Sequence, residues 1–210
     1  LREIRSELSE AEPSVCLPAR PLPSVLARHT IGLGDPLTPT DVTGENRADD
    51  NLPLDLESCI RTYGLTHFKV KVCGNLDIDL PRLATLADLL GPQALFTLDG
   101  NEQYSSINAF REHWEAWREN EKIRILLDSG LLLVEQPAHR DETFAPSVSS
   151  EFADWPDRPS FIIDEADGAI DSLPQALALG YDGASHKNCK GIVKGIANAA
   201  SLVREGRKRD

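Results

Sequence analysis

The stretch LTHFKVKVCGNLDIDLPRLATLADLLGPQALFTLDGN, Leu65–Asn101, decides the fold. His67–Val72 reads as a short strand. Leu80–Leu90 spaces its leucines as a helix does and is closed by Gly91-Pro92, and Leu95–Leu98 is a second strand. Two strands joined through a helix pair side by side in parallel, because a tight hairpin cannot connect them.

The same rhythm continues downstream. A long helix, Ser106–Leu127, is closed by Gly130 and leads into the apolar strand Leu131–Val134. A weaker helix within Asp141–Trp155 precedes the strand Phe161–Ile163. Leu173–Leu179 is helical up to Gly180, Tyr181–Ser185 is a weaker strand, and Ile192–Arg204 is a helix with small residues on one side. Upstream, Val25–Leu33 is read as a strand, followed by a long polar loop through Asp35, Gly44 and Asn51. Leu54–Tyr63 is then a helix with Gly64 as its C-cap. Leu1–Ala11 reads as an amphipathic helix, stopped by a Pro-rich linker at Pro13–Pro23.

Short apolar strands separated by amphipathic helices define an α/β protein whose parallel sheet is covered by helices. Both a doubly wound sheet and a (β/α) TIM-type barrel meet that description, and periodicity does not choose between them. No G-x-G-x-x-G or Walker A loop follows a strand, which argues against a nucleotide site.

Composition narrows the function classes. The 210 residues are 40% hydrophobic and 27% charged, which is globular usage. A formal net charge of −12 disfavours nucleic acid and anionic membranes as partners. No apolar run is long enough to span a bilayer, and the first ten residues do not resemble a signal peptide, so a cytoplasmic protein is expected. Cys16, Cys59, Cys73 and Cys189 are far apart, form no C-x-x-C pair and are expected to be unpaired, buried thiols. Trp114, Trp117 and Trp155 are expected in the core or an interface rather than at a substrate platform. His29, His67, His113 and His139 show no ligand spacing, and His186 is expected to pack or cap, facing away from Lys187.

What stands where each strand stops is more specific. The second strand ends in Lys69-Val70-Lys71, the third in Asp99-Gly100-Asn101, the fourth in Glu135-Gln136-Pro137, the fifth in Asp164-Glu165-Ala166 and the sixth in His186-Lys187. The C-terminal ends of parallel barrel strands share one face, where the βα loops build the active site. These groups are therefore expected to converge, with Lys69 and Lys71 on the same side of their strand. Three carboxylates meeting at one place repel each other unless a cation lies between them, and hard oxygen donors suit Mg²⁺. Such an ion offsets the charge that develops on a substrate carboxylate when an α-proton leaves. A lysine can take that proton if its pKa falls toward neutrality, and Lys69 beside Lys71 supplies the neighbouring ammonium that lowers it. Lys187 would arrive from the opposite side.

At these residues the sequence resembles the enolase superfamily, in particular its mandelate racemase, muconate-lactonizing and dipeptide-epimerase branch. The family's K-x-K is Lys69-Val70-Lys71, and its sixth-strand K-x-x-K-x-G appears in weakened form at Lys187-Asn188-Cys189-Lys190-Gly191. The resemblance implies one Mg²⁺ held by Asp99, Glu135 and Asp164, with Lys71 and Lys187 as the acid–base pair and Lys69 as electrostatic helper. Strand parity leaves Asp164 and Glu165 open as the third ligand, and the family's D-E-S motif favours Asp164. Asn101, Glu165 and Lys190 are placed around the ligands or against the substrate. The implied activity is Mg²⁺-dependent removal of a proton α to a carboxylate in a small-molecule substrate, as a racemase or epimerase. Dehydration, cycloisomerisation and a catalytically silent fragment are the alternatives, and homo-oligomerisation stays open. Residues 1–23 are expected to be a remnant of the family's capping domain with its linker. Residues 24–210 are expected to hold strands one to six of an incomplete barrel.

Overall fold

The structure, a computed structural model, describes residues 1, 3–9, 14, 17–44 and 52–206. Cys16, Asn51, parts of the expected Leu1–Ala11 helix and Pro13–Pro23 linker, and residues 207–210 lie outside them. Among the described residues six strands form one parallel sheet: β1 (His29–Ile31), β2 (His67–Lys71), β3 (Leu95–Asp99), β4 (Leu131–Glu135), β5 (Phe161–Ile163) and β6 (Gly183–Ala184). They lie side by side in chain order, β1-β2-β3-β4-β5-β6. A doubly wound sheet reverses its strand order at a switch point, and this one never does. Right-handed crossovers that always step the same way return on the same face. That is barrel topology, although the sheet is not closed: β1 and β6 form its two edges.

The helices are α1 (Leu56–Tyr63), α2 (Leu76–Leu90), α3 (Ile107–Glu119), α4 (Glu121–Gly130), α5 (Arg140–Thr143), α6 (Ser147–Ala153), α7 (Ser172–Leu179) and α8 (Ile192–Arg204). Phe68, Val70, Phe96, Leu98, Val134, Phe161 and Ile163 point from the strands into a core completed by Leu83, Leu86, Ile107, Ile123 and Leu127. Phe110 on α3 is its aromatic hub, with ring centroids 5.1 Å from Tyr104, 5.6 Å from Phe161 and 5.7 Å from Trp117. Trp114, Trp117 and Trp155 are all buried in this layer, as expected.

Several element boundaries differ from the sequence reading. The single helix expected over Ser106–Leu127 is two helices, because Asn120 leaves helical geometry (φ −83°, ψ 118°) and its side chain accepts from the N–H groups of Lys122 and Ile123. Asn120→Ala is expected to cost about 1 kcal/mol through loss of this cap, read as a lower urea midpoint at unchanged slope. The expected Asp141–Trp155 helix is likewise broken into α5 and α6 ahead of Pro146. Helix α2 starts earlier than expected, at Leu76, because Asn75 caps it by accepting from Asp77 N. Strand β1 is confined to His29–Ile31, where it pairs with β2, and leaves Val25 and Leu26 exposed. The sixth strand shrinks to Gly183–Ala184.

Among the described residues of the expected first helix, only a 3₁₀ turn, Ser6–Leu8, forms. It is anchored by the buried Arg5, whose guanidinium donates to the Ile170 carbonyl, Ser201 Oγ (2.9 Å) and Asn198 Oδ1 (2.5 Å). Leu8 packs beside it against Ala197 and Ala200 of α8. Cys59, Cys73 and Cys189 are free, but Cys59 and Cys73 are half-buried and Cys189 is exposed, so the expected burial does not hold for them. Among the described residues no helix is long and apolar enough to cross a membrane.

Candidate active site

Strand pairing builds the site. Lys71 lies opposite Asp99 in the β2–β3 register, and Asp99 opposite Glu135 in the β3–β4 register. Glu135 is opposite Ile162, two residues before Asp164. The expected charges thus form one row across the C-terminal ends of adjacent strands. Ile163 is buried in the helix-facing core, which turns Asp164 to the other face, the one carrying Asp99 and Glu135. Parity, open in the sequence, therefore favours Asp164 over Glu165.

All three carboxylates are buried: Asp99 at 1% exposure, Glu135 and Asp164 at 0%. Lys69, inward-facing on β2, donates to Glu135 Oε2 at 2.9 Å and stands 2.8 Å from Asp99 Oδ2. At the other end, Lys187 binds Asp164 Oδ2, and Lys190 donates to Asp164 Oδ1 and to the Asp164 carbonyl, both at 2.6 Å. Lys71 shares the face of Lys69, and among the described residues its ammonium has no ion-pair partner.

The electrostatics follow from this pairing. Burial pushes the Glu135 carboxyl up, and the adjoining Asp164 carboxyl adds to that rise. Burial also works against ionised Asp164, but its contacts with Glu135, Lys187 and Lys190 outweigh it and hold its pKa down. For Lys69, burial acts to lower the pKa, yet Asp99 and Glu135 more than offset it, so its pKa is raised. Lys187 is raised in the same way, against burial, chiefly by Asp164. The nearest charged partner of Lys187 is thus a carboxylate, not another ammonium.

The surrounding residues are placed as well. Asn101 Nδ2 donates to Glu165 Oε1 at 3.2 Å, joining the loops after β3 and β5. Asn101, Glu102 and Gln136 all have positive φ (42°, 65° and 30°), so the non-glycine strain sits beside the charged row. Gly100 has no alternative: a Cβ there would lie 2.5 Å from Pro137 Cα. His186 packs its ring against Gly195 of α8, as expected for a packing residue.

Sequence reasoning missed Gln136. Its side chain is buried and its Oε1 accepts from Asp164 N at 2.7 Å and Ala166 N at 3.0 Å. Missed too was a buried set beyond the row, where Lys194 lies 3.1 Å from Asp167 and Asn198 reaches the same carboxylate.

Among the described residues no three His, Cys, Asp or Glu side chains are grouped tightly enough to hold a metal ion. The donor set nevertheless fits Mg²⁺ in kind: three buried carboxylates lie in one row, and Glu135 Oε1 has no hydrogen-bond partner. The side chains turn toward Lys69, Lys187 and Lys190, whose ammonium groups supply the positive charge.

No protein-family model and no curated protein matches the chain. Solved structures do. A mandelate racemase/muconate lactonizing protein from Herpetosiphon aurantiacus is similar at a TM-score of 0.58 and 21% identity, over 72% of this chain and 39% of that one. A dipeptide epimerase from Enterococcus faecalis V583 gives 0.55 and 19%, over 72% and 41%. A dipeptide epimerase from Cytophaga hutchinsonii gives 0.56 and 16%, over 86% and 41%. At these identities the likeness is one of fold: the chain shares the α/β architecture of those structures, with six parallel strands in a sheet that is not closed. The chain spans about 40% of their length.

Proposed function

We propose that this chain carries the acid–base and metal-binding part of an active site that removes a proton α to a carboxylate, as a racemase or epimerase. The observation that carries the reading is the order of groups along the strand ends: Lys69 and Lys71, Asp99, Glu135, Asp164, then Lys187. Asp99, Glu135 and Asp164 would hold one Mg²⁺, which supplies positive charge to a substrate carboxylate as the α-carbon loses its proton. Lys69 bridges Asp99 and Glu135 and offsets part of their negative charge. Lys71 takes the proton from one side. Lys187 returns one from the other, since three strands separate β2 from β6. Opposed bases favour inversion at the carbon, and the fold's neighbours, which include the two dipeptide epimerases, support the same general kind of reaction. One of those was solved with Mg and the dipeptide D-Ala-L-Val, which makes dipeptides a first substrate panel. Dehydration and cycloisomerisation start from the same proton removal and differ in the group that follows.

The test is incubation with Mg²⁺ and a panel of dipeptides and N-acylated amino acids in D₂O, followed by NMR. Loss of the α-proton signal with inversion is the expected result. Exchange with elimination selects dehydration, and absence of exchange across the panel despite Mg²⁺ binding refutes the reading for this chain.

A further inference from the structure

Glu135 ends β4 and Asp164 follows β5 directly, and both are fully buried, so the distance between their carboxylates must be set by whatever ties those strand ends together. β5 stops at Ile163, one residue short of Asp164, so ladder pairing does not reach it. Besides Lys187 and Lys190, what reaches it is the side chain of Gln136. Its carbonyl oxygen takes two backbone N–H groups of the Asp164-Glu165-Ala166 turn, at 2.7 Å and 3.0 Å. Its amide nitrogen donates to Thr143 Oγ1 at 3.3 Å. The backbone of the same residue donates to the Ile162 carbonyl at 2.9 Å and accepts from Glu102 N at 3.1 Å. One residue therefore connects the loops after β3, β4 and β5. It does so at 1% exposure and with a left-handed φ of 30°.

We infer that Gln136 is the positioning residue of the metal site: its side-chain carbonyl fixes the Asp164 turn against β4 and so sets the separation of two of the three carboxylates. The inference rests on the proposed function only in requiring that those carboxylates bind a divalent ion. Groups that orient ligands in this indirect way typically change metal affinity by about 10–100-fold when removed.

The test uses Mn²⁺ binding followed by electron paramagnetic resonance, with NMR hydrogen exchange at the amides of Asp164 and Ala166 as a metal-free readout. Gln136→Met keeps the length and removes both polar ends. It should weaken Mn²⁺ by about 10–100-fold and unprotect both amides. Gln136→Glu keeps an acceptor oxygen and should restore protection and affinity to within about threefold of wild type, since the two N–H groups still have their partner. If Gln136→Met does not fold, Gln136→Asn, one methylene too short to serve both amides, carries the same expectation. A residue of merely structural importance would lower the melting temperature and leave the Mn²⁺ affinity of the folded protein unchanged. That result, or an equal loss in the Met and Glu variants, overturns the inference alone. Failure of the wild type to bind Mn²⁺ overturns the proposed function with it.

Discussion

Glu135→Gln is expected to abolish the stabilisation that Mg²⁺ gives the wild-type chain while costing little in its absence. Glu135 is buried, its Oε1 has no hydrogen-bond partner, and burial with the adjoining Asp164 carboxyl already disfavours its ionised form. A neutral amide of the same shape relieves that repulsion, can still accept from Lys69, and leaves Lys69 its contact with Asp99. The metal-free difference should therefore stay within about 1 kcal/mol. A ligand at about 100 times its dissociation constant stabilises a folded protein by about 2.7 kcal/mol. For a chain of this size that is a rise of about 5–10 °C in the midpoint. Thermal unfolding of both proteins with and without Mg²⁺ reads the contrast directly. Equal rises in the two would place the ion away from the strand-end row.

The second large effect concerns the two ends of that row. Lys71→Met and Lys187→Met are each expected to lower α-proton exchange by about 10²–10⁴-fold, the usual contribution of a positioned acid or base. The losses should differ by enantiomer. In the proposed arrangement each lysine faces one side of the α-carbon, so each variant should lose exchange with one enantiomer of a substrate and retain it with the other. Deuterium incorporation into both enantiomers, followed separately, decides the point. Equal loss with both enantiomers in both variants would leave the lysines as general electrostatic contributors and remove the two-base assignment.

How much of this was legible beforehand depends on the kind of force involved. The row Lys69, Lys71, Asp99, Glu135, Asp164 and Lys187 could be read because parallel strands must end on one face, and an ionisable residue after an apolar run marks that end. Strand parity could not choose Asp164 over Glu165, because that turns on which face Ile163 occupies; only the resemblance to the family's D-E-S motif favoured Asp164. Gln136 was invisible for a similar reason: its partners are backbone amides of another loop, and no side-chain pattern records them. The break at Asn120 was hidden by apolar spacing that continues on both sides of it. The lysine pairings escaped as well, since the sequence shows Lys69 beside Lys71 but not the carboxylates that raise its pKa.

The anchoring of Arg5 has a kinetic consequence. Its hydrogen bonds to Asn198 and Ser201 join residues 193 and 196 positions apart. Asn198 in turn reaches Asp167, three residues beyond Asp164. During synthesis, the first strands can pair as they emerge, because each contacts its sequence neighbour. The turn carrying Asp164 must wait for helix α8, and for α8 to meet the distant segment carrying Arg5. Closing so long a loop adds little free energy but delays the contact, since the entropy is lost before the bond forms. Refolding should then run in two stages, with the aromatic core assembling first and the Asp167 turn ordering last. Until that last stage Arg5, Asp167 and Lys194 are charges waiting in water, and the buried end of the strand row is not yet made.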